Sequence, residues 1–120
     1  MKAFWCVALL ALLPQTAAAQ SVGDWALARY KGGQHFYPGI VAAVGASTLT
    51  IAYDDGDRET LPTALTKPYD WRIGTRVECN FQGAGTWYPG TIASLAGAAI
   101  GINYDDGDKE RTKTALCRSH

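Results

Sequence analysis

The chain has 120 residues and a mass of 12.9 kDa, with 11 basic and 11 acidic residues. A formal net charge of zero lacks the dense basic footprint that binding a phosphate backbone requires, so nucleic acid is not an expected partner. The small size limits the folded part to one or two modest units.

The N-terminus reads as a leader. Lys2 gives a positive start, residues 4–13 form an apolar run, Pro14 interrupts it, and Ala17, Ala18 and Ala19 supply the small residues that a signal peptidase reads. Cleavage is expected after Ala19, giving a secreted or periplasmic protein that begins at Gln20. The run is shorter than the roughly 20 residues that span a bilayer, so no membrane association is expected after cleavage. Cys6 lies at the front of the run, far from the processing site, which argues against a lipid-modified cysteine. Loss of Lys2 reduces the 11 basic residues by one to 10 against 11 acidic, a net charge of about −1.

Beyond the leader, an internal repeat organises the chain. Phe36-Tyr37-Pro38-Gly39 returns as Trp87-Tyr88-Pro89-Gly90, an offset of 51 positions. The same offset carries Tyr53-Asp54-Asp55-Gly56-Asp57 onto Tyr104-Asp105-Asp106-Gly107-Asp108, and Thr63-Ala64-Leu65 onto Thr114-Ala115-Leu116, without a gap.

Within each copy, turn residues cut the sequence into short segments with a period of two, and no 3.6-residue periodicity competes. The first strand places Ala26, Ala28 and Tyr30 on one face; in the second copy Val77, Cys79 and Phe81 stand there. A glycine-containing turn leads to a strand over 36–44, a turn at 45–47 to a strand over 48–53, and Asp55-Gly56 to a strand over 58–61. A short closing segment near Leu65 completes about five strands. The fold class is therefore all-β, two tandem small SH3-like five-stranded barrels, over residues 22–65 and 73–116. Residues 66–72 are read as a linker whose Pro68, Tyr69 and Trp71 suit packing two barrels into one rigid unit rather than tethering them loosely.

Strand parity brings Tyr30, Tyr37 and Tyr53 to one mouth of the first barrel, if its strands form an antiparallel meander. Phe81, Tyr88 and Tyr104 form the equivalent set. The turn after the third strand opens at the same mouth with Asp54, Asp55, Asp57 and Glu59, or Asp105, Asp106, Asp108 and Glu110. Aromatic faces beside carboxylates suit a large, weakly hydrated cation such as a methylated ammonium group. The alternative is that the tyrosines only cap the barrel and the aspartates make a solvated turn.

These segments, GDWALARY, FYPGIVAAV and LTIAYDDGDRE, with RVECNF, WYPGTIASL and IGINYDDGDKE in the second copy, resemble Tudor domains of the Tudor and Agenet royal family. The resemblance covers nearly all of residues 20–120. It implies Tudor-type barrels and a non-catalytic reader of proteins or peptides carrying methylated lysine or arginine. It also implies aromatic cages at Tyr30, Tyr37 and Tyr53 with Asp55, and at Phe81, Tyr88 and Tyr104 with Asp106. Where some members add a further aromatic, this chain has Asp57 and Asp108. The leader sets the chain apart from intracellular members, and an exported version has quaternary ammonium compounds among its possible ligands.

Other chemistry is weaker. His35 and His120 are the only histidines and neither has a counterpart in the other copy, so they read as exposed bystanders, and no catalytic residue, metal site or cofactor is expected. The acidic loops leave calcium binding open as an alternative, and an interaction or structural module without a small ligand is another. Phe36 and Trp87 have the opposite parity to the mouth tyrosines and are expected outside the barrels or between them. Two cysteines in an exported chain, on first and last strands that commonly adjoin, suggest a Cys79–Cys117 disulfide. Cys79 points inward by alternation. Cys117 follows the apolar Leu116, and if it points outward the two do not meet.

Overall fold

A computed structural model of the chain describes residues 20–120; the expected leader, residues 1–19, lies outside the described residues. Strands β1 (Trp25–Arg29), β2 (Phe36–Val44), β3 (Thr48–Tyr53), β4 (Arg58–Pro62) and β5 (Thr66–Pro68) form an antiparallel sheet in the order β4-β3-β2-β1-β5. Strands β6 (Arg76–Asn80), β7 (Trp87–Ala96), β8 (Ala99–Tyr104), β9 (Lys109–Lys113) and β10 (Cys117–Arg118) repeat it in the order β10-β6-β7-β8-β9.

The all-β class and the five strands per lobe stand. Neither sheet closes through a ladder between its first and last strands: one-turn 3-10 helices at Thr63–Leu65 and Thr114–Leu116 cross the seam instead. The closing strands also lie further along than the sequence suggested. Residues 66–68, read as linker, pair with β1, and residues 117–118 pair with β6. Pro68 is tolerated there because β5 is an edge strand, where a missing N–H breaks no ladder.

Two devices curl each sheet. The register slips between Val41 and Ala43, and at the matching place between Ile92 and Ser94, so Ala42 and Ala93 are inserted residues that bend β2 and β7. The repeated glycine lets the bent strand approach its neighbour. A Cβ on Gly39 would stand 2.7 Å from the Ala52 carbonyl oxygen, and one on Gly90 would stand 2.8 Å from that of Asn103.

The first lobe closes over Ala26, Ala28, Val41, Leu49, Ile51, Tyr53 and Leu61. The second core contains Val77, Cys79, Ile92, Ile100, Ile102, Tyr104 and Cys117, but also Leu27 of β1 and Trp71 from between the lobes, with Phe36 packed against it. Both faces of β1 are thus covered, and Ala26, Leu27 and Ala28 are all fully buried. The lobes are joined further by paired backbone bonds between Phe36 and Ser119 (2.7 and 3.0 Å). The Thr114 hydroxyl donates to Asp54 at 2.6 Å, and the Arg118 guanidinium donates to the Tyr37 hydroxyl at 3.1 Å.

Candidate functional site

Each aromatic trio assembles where β1, β2 and β3, or β6, β7 and β8, bring their ends together. In the first lobe Tyr30 stands edge-to-face on Tyr53, centroids 5.3 Å apart at 89°, and on Tyr37 at 6.2 Å and 74°. In the second, Phe81 stands on Tyr104 at 5.5 Å and 83°, and on Tyr88 at 6.3 Å and 88°. Phe81 has no hydroxyl, yet the ring geometry is the same. Packing of the rings, rather than a hydroxyl bond, therefore sets the arrangement.

A glutamate that the sequence placed beside each mouth but outside the cage sets, Glu59 or Glu110, organises that mouth. Tyr30 and Phe81 open one-turn 3-10 helices whose middle residues, Lys31 and Gln82, adopt left-handed backbone at φ 52° and 54°. That conformation is costly for a side-chain-bearing residue. Each strained N–H donates at 2.9 Å to a glutamate, Glu59 on β4 or Glu110 on β9. The other oxygen of the same carboxylate accepts from a tyrosine: Tyr53 to Glu59 at 2.8 Å, Tyr104 to Glu110 at 2.6 Å. The offset carrying Glu59 onto Glu110 was visible in the sequence, but the partners of these carboxylates were not.

The aspartates have separate duties. Asp55 and Asp106 each accept the backbone N–H two residues ahead, at 2.9 Å, and so close their turns. Asp54 bonds Thr114 across the lobes. Its counterpart Asp105 forms a fork with Arg76, both contacts at 2.6 Å, which holds its carboxyl below the usual range. These bonds commit Asp54, Asp55, Asp105 and Asp106 of the DDGD loops to partners within the fold. Among the described residues, no group of three metal-competent ligand atoms forms there.

The two mouths differ in accessibility. In the first, the Tyr30 hydroxyl donates to Asp57 at 2.9 Å, Lys31 places its own ammonium 5.4 Å from the Tyr30 ring centre, and Tyr37 is tied to Arg118 and packed edge-on against Trp87 at 6.1 Å. In the second, Gln82 replaces Lys31, Phe81 leaves the Asp108 carboxylate without a tyrosine donor, and Tyr88 is 43% exposed. Trp87 and Phe36 both face the junction: Trp87 lies beneath Arg118 at 4.3 Å, and Phe36 packs on the second core.

His35 departs from the bystander reading. Its side chain is only 22% exposed, and burial together with the nearby Arg118 guanidinium pushes its pKa below the usual histidine value. Cys79 and Cys117 sit opposite each other on β6 and β10 and are joined as a disulfide, both fully buried.

Burial first, then donation to Glu59 or Glu110, raises the pKa values of Tyr53 and Tyr104 well above that of free tyrosine. Burial likewise pushes Tyr69 up to about 12. A folded-state pKa above the unfolded one adds stability that is complete below about pH 10 and is lost as pH rises towards the folded value. Stability should therefore fall steeply above about pH 10, with phenolate absorbance from these residues appearing only together with unfolding. Titration of Tyr53 and Tyr104 near pH 10 in a chain that stays folded would contradict the burial argument.

The sequence matches no family model and no curated protein. Among solved structures it is similar to the crystal structure of ADCP1 tandem Agenet domain 3-4, at 17% identity and a TM-score of 0.38, covering 83% of this chain and 79% of that one. It is also similar to Arabidopsis thaliana AGDP1 AGD34, at 18% identity and a TM-score of 0.38, covering 83% and 82%.

Proposed function

We propose that the chain is an exported, non-catalytic binding module whose second lobe takes a methylated ammonium group, as on a methylated lysine or arginine side chain or a quaternary ammonium compound. The observation that carries this reading is the asymmetry between two otherwise identical mouths. The first already holds a cation of its own, Lys31 over Tyr30, and its Asp57 is bonded. The second presents the same edge-to-face rings with the exposed Tyr88, the neutral Gln82 and an Asp108 that, among the described residues, no counterpart of the Tyr30 hydroxyl engages, because Phe81 stands in that place. The buried disulfide supports export, because such bonds persist in oxidising compartments.

A methylated ammonium is favoured over a bare one because each methyl lowers the cost of leaving water, while each ring contact retains about 0.5–2 kcal/mol of cation–π attraction. Two or three contacts, less the cost of ordering the ligand, give dissociation constants of order high micromolar to millimolar. NMR titration with trimethyllysine, dimethylarginine and choline tests this. Shifts are expected around Phe81, Tyr88 and Tyr104, weaker with unmethylated lysine, and absent in Tyr88→Ala. Tyr88 is the clean position because Tyr104 is only 5% exposed and its removal would disturb the core. No shifts at millimolar ligand, or shifts that persist in Tyr88→Ala, would leave a protein-interaction module as the better account.

A further inference from the structure

The two histidines, 85 positions apart, meet at the junction of the lobes. His35 lies in the loop before β2, Glu78 on β6, and His120 beyond β10. The His35 Nε2 stands 3.3 Å from Glu78 Oε1, and His120 Nε2 stands 3.9 Å from Glu78 Oε2. All three ligand atoms lie within 4.8 Å of one another, and the imidazole centroids are 4.6 Å apart.

We propose that His35, Glu78 and His120 form a zinc-class divalent metal site that clips the first lobe to the second. Two imidazoles and one carboxylate are a donor set that zinc takes with bonds of about 2.0–2.2 Å, which places tetrahedral ligand atoms roughly 3.4 Å from one another. The observed separations reach that figure with sub-ångström to ångström-scale turns of side chains. His120, 73% exposed, provides the entry path and leaves a fourth position to water. A neighbouring cation holds Glu78 in position, since Arg118 Nε donates to its Oε1 at 3.0 Å, fixing the carboxylate as an outer-shell partner does. The guanidinium charge opposes a dication and keeps the affinity below that of a closed structural site. Imidazole ligands disfavour magnesium and calcium, which prefer oxygen donors.

Because the metal binds only the docked lobes, it stabilises them by mass action. Zinc at a hundred times its dissociation constant raises the folded-to-unfolded ratio about a hundredfold, which moves the Tm of a chain this size by on the order of 10 °C. The test uses untagged residues 20–120 with the disulfide intact, so that neither a tag nor free thiols compete. Calorimetric titration with zinc chloride and thermal unfolding with zinc or with a chelator are run on the wild type, His35→Ala, His120→Ala and Glu78→Gln. Binding to the wild type with a raised Tm, weakened at least tenfold in each variant whose metal-free Tm is unchanged, is expected. Magnesium should leave the Tm unmoved. No binding at micromolar zinc, or an undiminished response in either histidine variant, overturns the proposal. Because Tyr88→Ala does not touch this site, failure here is distinguishable from failure of the aromatic mouth.

Discussion

Trp71→Ala is expected to cost about 3–5 kcal/mol of unfolding free energy, the range for truncating a buried aromatic, and to split one cooperative transition into two. Trp71 is 5% exposed and shares a core with Leu27 from the first lobe and Val77, Ile92 and Ile102 from the second. Its indole N–H donates to the Ser119 hydroxyl at 3.1 Å, and Ser119 is the residue whose backbone pairs with Phe36 across the lobes. The truncation thus opens a cavity at the point where the cores meet and strips the donor from a nearly buried hydroxyl. Trp71→Phe keeps most of the volume and should lose far less, with the missing hydrogen bond contributing about 1 kcal/mol. Urea unfolding followed separately by probes in each lobe reads both effects. A loss under about 1 kcal/mol with coincident transitions would show that the lobes are stabilised independently of Trp71.

Removal of the disulfide, by the double change Cys79→Ala and Cys117→Ala, should cost about 2–4 kcal/mol. The bond closes a separation of 38 residues, and the chain-entropy account assigns a loop of that length roughly 4 kcal/mol. It also joins β6 to β10, a strand of only two residues with little ladder of its own. The first lobe has Ala28 facing Thr66 at the equivalent register, so the loss should be confined to the second. Hydrogen exchange is expected to show lower protection along β6 and β10 and unchanged protection along β1 and β5. Intact mass of secreted, non-reduced material is expected to correspond to a chain starting at Gln20 with both thiols oxidised. Two free thiols, or a double variant as stable as the parent, would remove this staple, and a retained leader would remove export from the proposed function.

The repeat makes much of the fold legible in the sequence. Strict alternation at Leu49, Ile51 and Tyr53 fixes which face of β3 is buried, because successive side chains on a strand point to opposite sides. Asp55-Gly56 marks its turn through the positive φ that glycine accepts, here 99°. Parity also gathered Tyr30, Tyr37 and Tyr53 at one mouth, because that argument needs only period two and an antiparallel meander. It failed where a strand has two buried faces: Leu27 belongs by parity on the outside of β1, and only the second lobe makes that outside a core.

By itself, then, the sequence determined the all-β class, the five-stranded repeat and the two aromatic mouths, since each follows from local periodicity, turn chemistry and a 51-residue offset. The docking of the lobes decided the rest. It tied Tyr37 to Arg118, committed Asp54 to Thr114 and brought His35 to His120. Those contacts join residues 81, 60 and 85 positions apart. No local pattern encodes such pairs, because they depend on how two finished surfaces meet, and the equivalence of the repeats hides the asymmetry that their meeting creates.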